Sequence, residues 1–444
     1  CAAVHNDCGV VDPWSGTGSS FLSGSAETYT KYGASTLWGY GRYVNGRVKN
    51  MVWNETADPY IVYPYILADS IGGDMNREQY EFCGGYAAHS GRWAWGMEMS
   101  YLAKLEYRGV DPRPRNVVGQ LDVSAGLGYM VANDYYAGVS LRLRKYKQSN
   151  DVEFKSEMGV DKIYHLTGLA THYYRFAGTG LSTHYDGYRY GVSADVYPRS
   201  GRGVFMSCVV SRFSFDNILT DLNKLPLASA THRAIDVEAG WLNPSDSHYC
   251  GVVAVLSAYR RHGRENIFGD AASTIYPQIC STEMFADNYV SVSCRGTWGL
   301  LYNAASRIGV VAGGGWHRRT TAYVSPWRHT LVSKADVGCG VMGDVKLQRG
   351  WILSAECSVD VDMPVECGMA MNDADDAELM QLVNMERRIH AVASMRRLAT
   401  NAAAYIGHAV GRRYMIQLGV RWHCLTYPDG TRRDDLSCTA GLLF

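Results

Sequence analysis

The sequence predicts an all-β protein: a transmembrane, antiparallel, up-and-down β-barrel of about sixteen strands, with short turns at one end and long loops at the other. Three observations predict it. Apolar and charged residues alternate with period two over long stretches. Short and long connections alternate along the chain. The last residue, Phe444, stands in phase with the final apolar stripe, as an assembly signal of outer-membrane barrels would.

The alternation is clearest in the hairpin from Thr330 to Met363. On its second arm Trp351, Leu353, Ala355, Cys357, Val359, Val361 and Met363 alternate with Ser354, Glu356, Ser358, Asp360 and Asp362. On its first arm Leu331, Ala335, Val337, Cys339, Val341 and Val345 oppose Lys334, Asp336, Asp344 and Lys346. Successive side chains of a strand point to opposite faces, so each arm has one greasy and one charged face. A packed core and a lipid bilayer both suit such a hairpin.

Composition narrows the choice. Lys plus Arg and Asp plus Glu are 43 each, so no net field draws nucleic acid, which is excluded as a partner. Tyr (31), Trp (11) and Gly (47) are abundant and Pro (12) is scarce, which favours strands. No apolar run approaches the roughly twenty residues of a membrane helix, whereas a barrel strand needs only about ten, half of them apolar. The 12 cysteines show no CxxC spacing, so no metal or redox centre is legible. Cys339, Cys357, Cys424 and Cys438 read as small hydrophobes.

Taken in order, residues 1–34 are Gly- and Ser-rich without a sustained period and read as an irregular periplasmic arm or plug. The chain starts at Cys1 without a Met, which reads as a processed, exported chain and makes Cys1 a candidate lipid anchor. The barrel is expected over 35–444. Its strands are expected at 37–53, 75–89, 92–107, 117–132, 135–147, 184–197, 202–216 and 228–243, then at 248–262, 286–301, 304–320, 330–347, 350–363, 396–410, 413–426 and 433–444. Tight connections (such as 198–201 and 348–350) alternate with long ones (54–74, 148–183, 364–395). Residues 373–395 carry Leu379, Leu382, Val383 and Met385 or Glu386 at helical spacing, which predicts a short helix within a loop.

In 92–107, Trp93, Trp95, Met97, Met99 and Tyr101 oppose Glu98, Lys104 and Glu106. In 135–147, Val139, Leu141 and Leu143 oppose Arg142 and Arg144; in 228–243, Ile235, Val237 and Trp241 oppose Asp236 and Glu238. In 413–426, Ile416, Leu418, Val420 and Trp422 oppose Gln417, Arg421 and His423. Aromatics close many apolar stretches, as interfacial girdles do.

The segments VKNMVWNETADPYIVYPYILADSIGGD at 48–74, YRGVDPRPRN at 107–116, the loop at 145–176 and TDLNKLP at 220–226 together resemble an uncharacterised family of Bacteroidota outer-membrane β-barrels. The resemblance implies outer-membrane location and the barrel fold, and a TonB-dependent receptor or other outer-membrane protein as partner. It implies no catalytic or binding residue.

Chemistry is weakly signalled. Tyr164, His165, His172, Tyr173, Tyr174, His184, Tyr185 and Asp186 form a dense His/Tyr stretch, which reads as an ordered loop rather than a ligand set. Ser182, His184 and Asp186 share a strand face at about 7 Å spacing, too far for a direct Ser–His relay. Gly313 to Gly315 lack the spacing of a phosphate loop. No catalytic residue, metal or cofactor is assigned. The candidate site is the lumen, lined by Glu98, Lys104, Glu106, Arg142, Arg144, Asp236, Glu238, Lys334, Asp336, Asp344, Lys346, Glu356, Asp360, Asp362 and Arg421. A basic wall at 135–147 and an acidic one at 330–363 would set up a transverse field. The expected function is non-enzymatic passage or uptake of small solutes, as a porin-like channel or an accessory subunit. The alternative is a barrel sealed by its arm or by the 54–74 and 148–183 loops and docked to another outer-membrane protein; an outer-membrane enzyme is the third class.

Overall fold

A computed structural model describes residues 1–9, 12–132, 134–155, 163–176, 182–271, 275–303, 306–374, 376–410 and 414–443. The chain forms a closed antiparallel barrel of 18 strands. The wall strands are β1 (Ala2–Cys8), β2 (Gly18–Tyr32), β3 (Ser35–Met51), β5 (Gly73–Ser90), β6 (Trp93–Tyr107), β7 (Arg113–Ala132), β8 (Tyr135–Glu153), β11 (Ser182–Pro198) and β12 (Gly203–Leu219), followed by β13 (Leu225–Pro244), β14 (His248–Phe268), β15 (Gln278–Asn303), β16 (Ser306–Tyr323), β17 (Arg328–Lys346), β18 (Trp351–Ala370), β19 (Arg397–Val410), β20 (Tyr414–Thr426) and β21 (Arg432–Leu443). Inside lie a three-stranded sheet of β4 (Leu67–Ala68), β9 (Tyr164–Gly168) and β10 (Thr171–His172), and two helices, α1 (Pro59–Val62) and α2 (Ala377–Ser394).

Each wall strand from β2 onward pairs with its chain neighbours in the wall. Closure comes from β1, which pairs Ala2 with both Leu22 and Cys438. This corrects two expectations. The strand number is eighteen, not sixteen, and residues 1–34 are not an irregular arm. They supply β1 and β2. Their outward positions on β2 include Gly24, Ala26, Thr28 and Thr30, too small and polar to print a greasy stripe, so the period was invisible.

The expected strands otherwise appear, and most run further toward the long-loop end than their apolar stretch. β14, for example, extends to Phe268 and β15 begins at Gln278. Above the apolar stretch the alternation becomes polar on both faces, so the signal fades while the hydrogen-bonded ladder continues. The outer face is greasy around most of the circumference. Met97 is 62% exposed, Leu141 61% and Val341 56%, each flanked on its strand by like residues. None of the described helices is long and apolar enough to cross a membrane.

The hydrophobic core lies inside the barrel, at its long-loop end. Trp53, Tyr63, Ile66, Tyr164 and Leu166 from the loops pack against Phe285 and Tyr323 of the wall and against Leu382 and Val383 of α2. A second cluster joins Val62 and Tyr65 to Tyr146, Tyr185, Phe213 and Phe215. The long connections therefore fold inward as a plug. A barrel of this width has room that side chains of the wall alone cannot fill. The helix predicted at 373–395 is α2, with Leu382 and Val383 fully buried as its spacing requires.

Candidate functional site

The plug is tied to the wall by polar contacts all round the lumen. Tyr185 of β11 donates to the Tyr65 carbonyl at 2.9 Å, Arg261 of β14 to the Tyr60 and Tyr63 carbonyls at 3.0 Å, and Arg328 of β17 to the Leu169 carbonyl at 2.6 Å. Asp58, just before α1, accepts from Lys104 of β6 and from the Tyr146 hydroxyl of β8 at 3.0 Å. Glu106 is buried between Arg77 and Lys104.

A further tie is a buried triad. Arg108 lies 2.8 Å from Glu55 and 3.8 Å from Asp69, both fully buried. Asp69 also accepts from the backbone amides of Ile71 and Gly72. One guanidinium cannot neutralise two carboxylates. Burial, with Asp69 as a hydrogen-bond partner, pushes the Glu55 carboxyl well above its usual range.

Beneath the plug the lumen keeps a cavity of about 640 Å³. Four consecutive strands each supply one ring to it: His232 of β13, Tyr259 of β14, Tyr289 of β15 and His317 of β16. Ring centroids are 4.8, 5.1 and 6.2 Å apart in that order, and Tyr259 and Tyr289 are within 18° of parallel. At that spacing parallel rings overlap face to face and turn their polar edges to the lumen. Asp287 takes two hydrogen bonds from Arg319, at 2.9 and 3.0 Å, and one from Thr321 at 3.1 Å.

The opposite side is built by Asp12, Trp14, Tyr60 and α2, with Glu386 and His390 facing in. Arg397 pairs with Asp362 at 2.5 Å, and Lys334 donates to the Met395 carbonyl at 2.7 Å. Burial raises the Asp12 carboxyl and lifts Glu386 to about 7. Asp287 and Asp362 are therefore matched by Arg319 and Arg397, while Arg261 and Lys334 rest on backbone carbonyls. The lining carries four acids (Asp12, Asp287, Asp362, Glu386) and four bases (Arg261, Arg319, Lys334, Arg397), so its formal charges balance, with hydrogen-bonding groups of both kinds around the rim. It suits a small polar solute with a ring or other flat group.

Of the lumen residues expected from sequence, Lys334 and Asp362 line this cavity. Asp336, Glu356, Asp360 and Arg421 line a second hollow of about 490 Å³, where a side chain at Gly338 would strike Asp360. Asp344 pairs with Arg307 near the short turns, and Lys346 is exposed beside them. Glu98 accepts from the Trp38 indole at 2.9 Å. Asp236 and Glu238 occupy inward positions of β13 and are exposed. Lys104 and Glu106 are covered by the plug. Arg144 is matched by Asp122 at 2.7 Å, while among the described residues Arg142, the other half of the expected basic wall, has no ion-pair partner. Cys1 is exposed at the foot of β1, its amine donating to the Ser23 carbonyl. Phe444 lies outside the described residues.

Part of the His/Tyr stretch turns inward: Tyr164 and His165 are buried in the inner sheet, while Tyr174 is exposed. Among the described residues no group of three His, Cys, Asp or Glu could hold a metal. Sequence reasoning missed the His232–Tyr259–Tyr289–His317 ladder, Glu386 and the Glu55–Asp69–Arg108 triad. The ladder draws one residue from each of four strands and the triad joins positions 55, 69 and 108, so no local spacing announces them.

Solved structures of similar outline include the siderophore receptor PiuA from Acinetobacter baumannii, at 8% identity and TM-score 0.45, covering 100% of this chain and 81% of that one. The ferric-catecholate import receptor Fiu from E. coli K12 matches at 7% and 0.42, with coverages of 100% and 81%. The ferric enterobactin receptor PfeA from Pseudomonas aeruginosa matches at 8% and 0.40, with coverages of 100% and 81%. No curated protein matches the chain. Residues 10–444 match the model of a family of unknown function, DUF6850, and the chain belongs to that family.

Proposed function

We propose that this protein is a non-enzymatic outer-membrane barrel that binds a small polar solute in its lumen and takes part in its uptake, with the lumen closed by its own long loops rather than open as a pore. The greasy outer face over most of the circumference supports the membrane location. Only lipid covers so much apolar surface on a closed barrel without cost, and closure satisfies the backbone that lipid cannot. The polar strand ends and long loops then lie outside the cell, and the short turns in the periplasm.

The observation that carries the reading is the plug: segments 52–72 and 163–176 and helix α2 fill the long-loop end of the lumen, with the aromatic-lined cavity beneath. The test is single-channel conductance in a planar bilayer. The native protein is expected to be silent or to flicker, and a variant with residues 53–70 replaced by a Gly-Ser linker is expected to conduct steadily. A steady, wide conductance from the native protein would refute the closed-lumen reading.

A docked partner is the second reading. Tyr174, Ile275, Ile279, Val324 and Trp327 are exposed apolar residues on the long-loop side. They support contact with another outer-membrane protein, a TonB-dependent receptor among the candidates. Stoichiometric co-purification from native membranes tests it, and recovery of the barrel alone speaks against it.

A further inference from the structure

One row of the outer wall breaks the greasy pattern. Arg212 of β12, Arg233 of β13 and Arg260 of β14 are direct cross-strand partners, Arg212 with Arg233 and Arg233 with Arg260. Tyr190 of β11 and Asn288 of β15 extend the same row on either side. All three arginines are exposed, and among the described residues none has an ion-pair partner.

Like charges directly opposite one another on neighbouring strands, about 4.8 Å apart, repel. Two other outward cations do have acidic partners: Lys145 has Asp186 and Arg318 has Glu366. The acids nearest in register, Asp216 and Glu283, lie two rungs further toward the long loops, and Glu283 is held by His262.

The row sits at a boundary. One rung toward the short turns come Val192, Val210, Ile235, Ala258 and Val290, all in register. One rung toward the long loops come Ser214, Thr231 and His262. The arginines thus crown the apolar band at its long-loop edge. They also form the rim of an outer groove of about 630 Å³ whose floor is those apolar residues.

From this juxtaposition of three uncompensated arginines over an apolar groove, we infer a binding site for a phosphate-bearing lipid. Its phosphate monoester lies across the three guanidinium groups and its acyl chain lies in the groove. Planar guanidinium groups take phosphate oxygens in pairs, and the Tyr190 hydroxyl and Asn288 amide add donors at the ends of the row. The inference rests on the membrane location proposed above. It is independent of what the lumen holds.

The test uses the full chain in detergent, probed by native mass spectrometry with dioleoyl phosphatidic acid, dioleoyl phosphatidylcholine or inorganic phosphate alone. The native protein is expected to retain phosphatidic acid and to release phosphatidylcholine. The R212A/R233A/R260A variant is expected to lose affinity on the order of a hundredfold, about fivefold per arginine. Circular dichroism checks its fold. Should that variant fail to fold, Arg233→Gln carries the test, with about a fivefold loss. Equal retention by the native and variant proteins, or equal retention of both lipids, overturns the site. Occupancy by inorganic phosphate at the same concentration shows a free-anion site and overturns the lipid. Failure of the barrel to insert into vesicles at all would instead strike at the membrane reading.

Discussion

Glu386→Gln is the perturbation that separates the forces holding the plug. Glu386 is 8% exposed on α2, above the cavity. Its carboxyl is raised chiefly by burial, against the opposing pull of Arg319 and Arg328, and reaches about 7 from an ordinary 4.5. That displacement corresponds to about 3 kcal/mol. The sign follows from linkage. Below about pH 4.5 the group is protonated whether α2 is docked or released, and there is no penalty. Between about 4.5 and 7 the released form ionises while the docked form keeps its proton, so docking weakens as pH rises. Above about 7 the full penalty applies.

Hydrogen exchange of residues 377–394, corrected for the intrinsic pH dependence, reads this directly. In the native protein α2 is expected to open on the order of a hundredfold more often at about pH 8 than at about pH 5. In Glu386→Gln the opening should be nearly pH-independent, and at about pH 8 the variant should be the better protected. Native protection that does not change with pH, or a Gln variant less protected at about pH 8, would show Glu386 ionised and held by Arg319 and Arg328, and would refute the reasoning.

Two further outcomes follow from the same physics. Arg108→Ala leaves Glu55 and Asp69 buried without their cation, and should loosen the 52–72 segment by about 3–5 kcal/mol. Limited proteolysis should then cut that segment in the variant while sparing it in the native protein, and equal resistance would count against the triad as a tie. Leu141→Arg places a charge on the outward face of β8, and should cost folding into vesicles about 2–4 kcal/mol if that face meets lipid near mid-depth; a neutral effect there would favour a water-exposed wall.

The wall was largely legible because its signal is local. A half-buried strand alternates every second residue, and the hairpin 330–363 displays this within one short window. The helix α2 was legible for the same reason, through Leu379, Leu382, Val383 and Met385. What failed were the places where small or polar residues carry the strand. β1 is a short strand of mixed residues (Ala2–Cys8) and β2 is rich in Gly, Ser and Thr, so neither prints a sustained apolar period although both pair through the backbone. Two residues of the lumen list, Lys334 and Asp362, line the cavity, and their inward parity is also a local property. The list could not say that Arg144 is matched by Asp122 or that Lys104 and Glu106 lie under a plug.

By itself the sequence determined the barrel, its greasy outer and polar inner faces, and the division between short turns and long loops. Periodicity and connection length are properties of neighbouring residues, and neighbours are what a sequence lists. Only the tertiary structure decided how many strands close the wall, that the long loops turn inward, and which residues meet in the cavity. His232, Tyr259, Tyr289, His317 and Glu386 lie within about one barrel width of each other yet come from five separate elements. Closure brings them together, and closure is a property of the whole ladder, set by register and space rather than by any single stretch of chain.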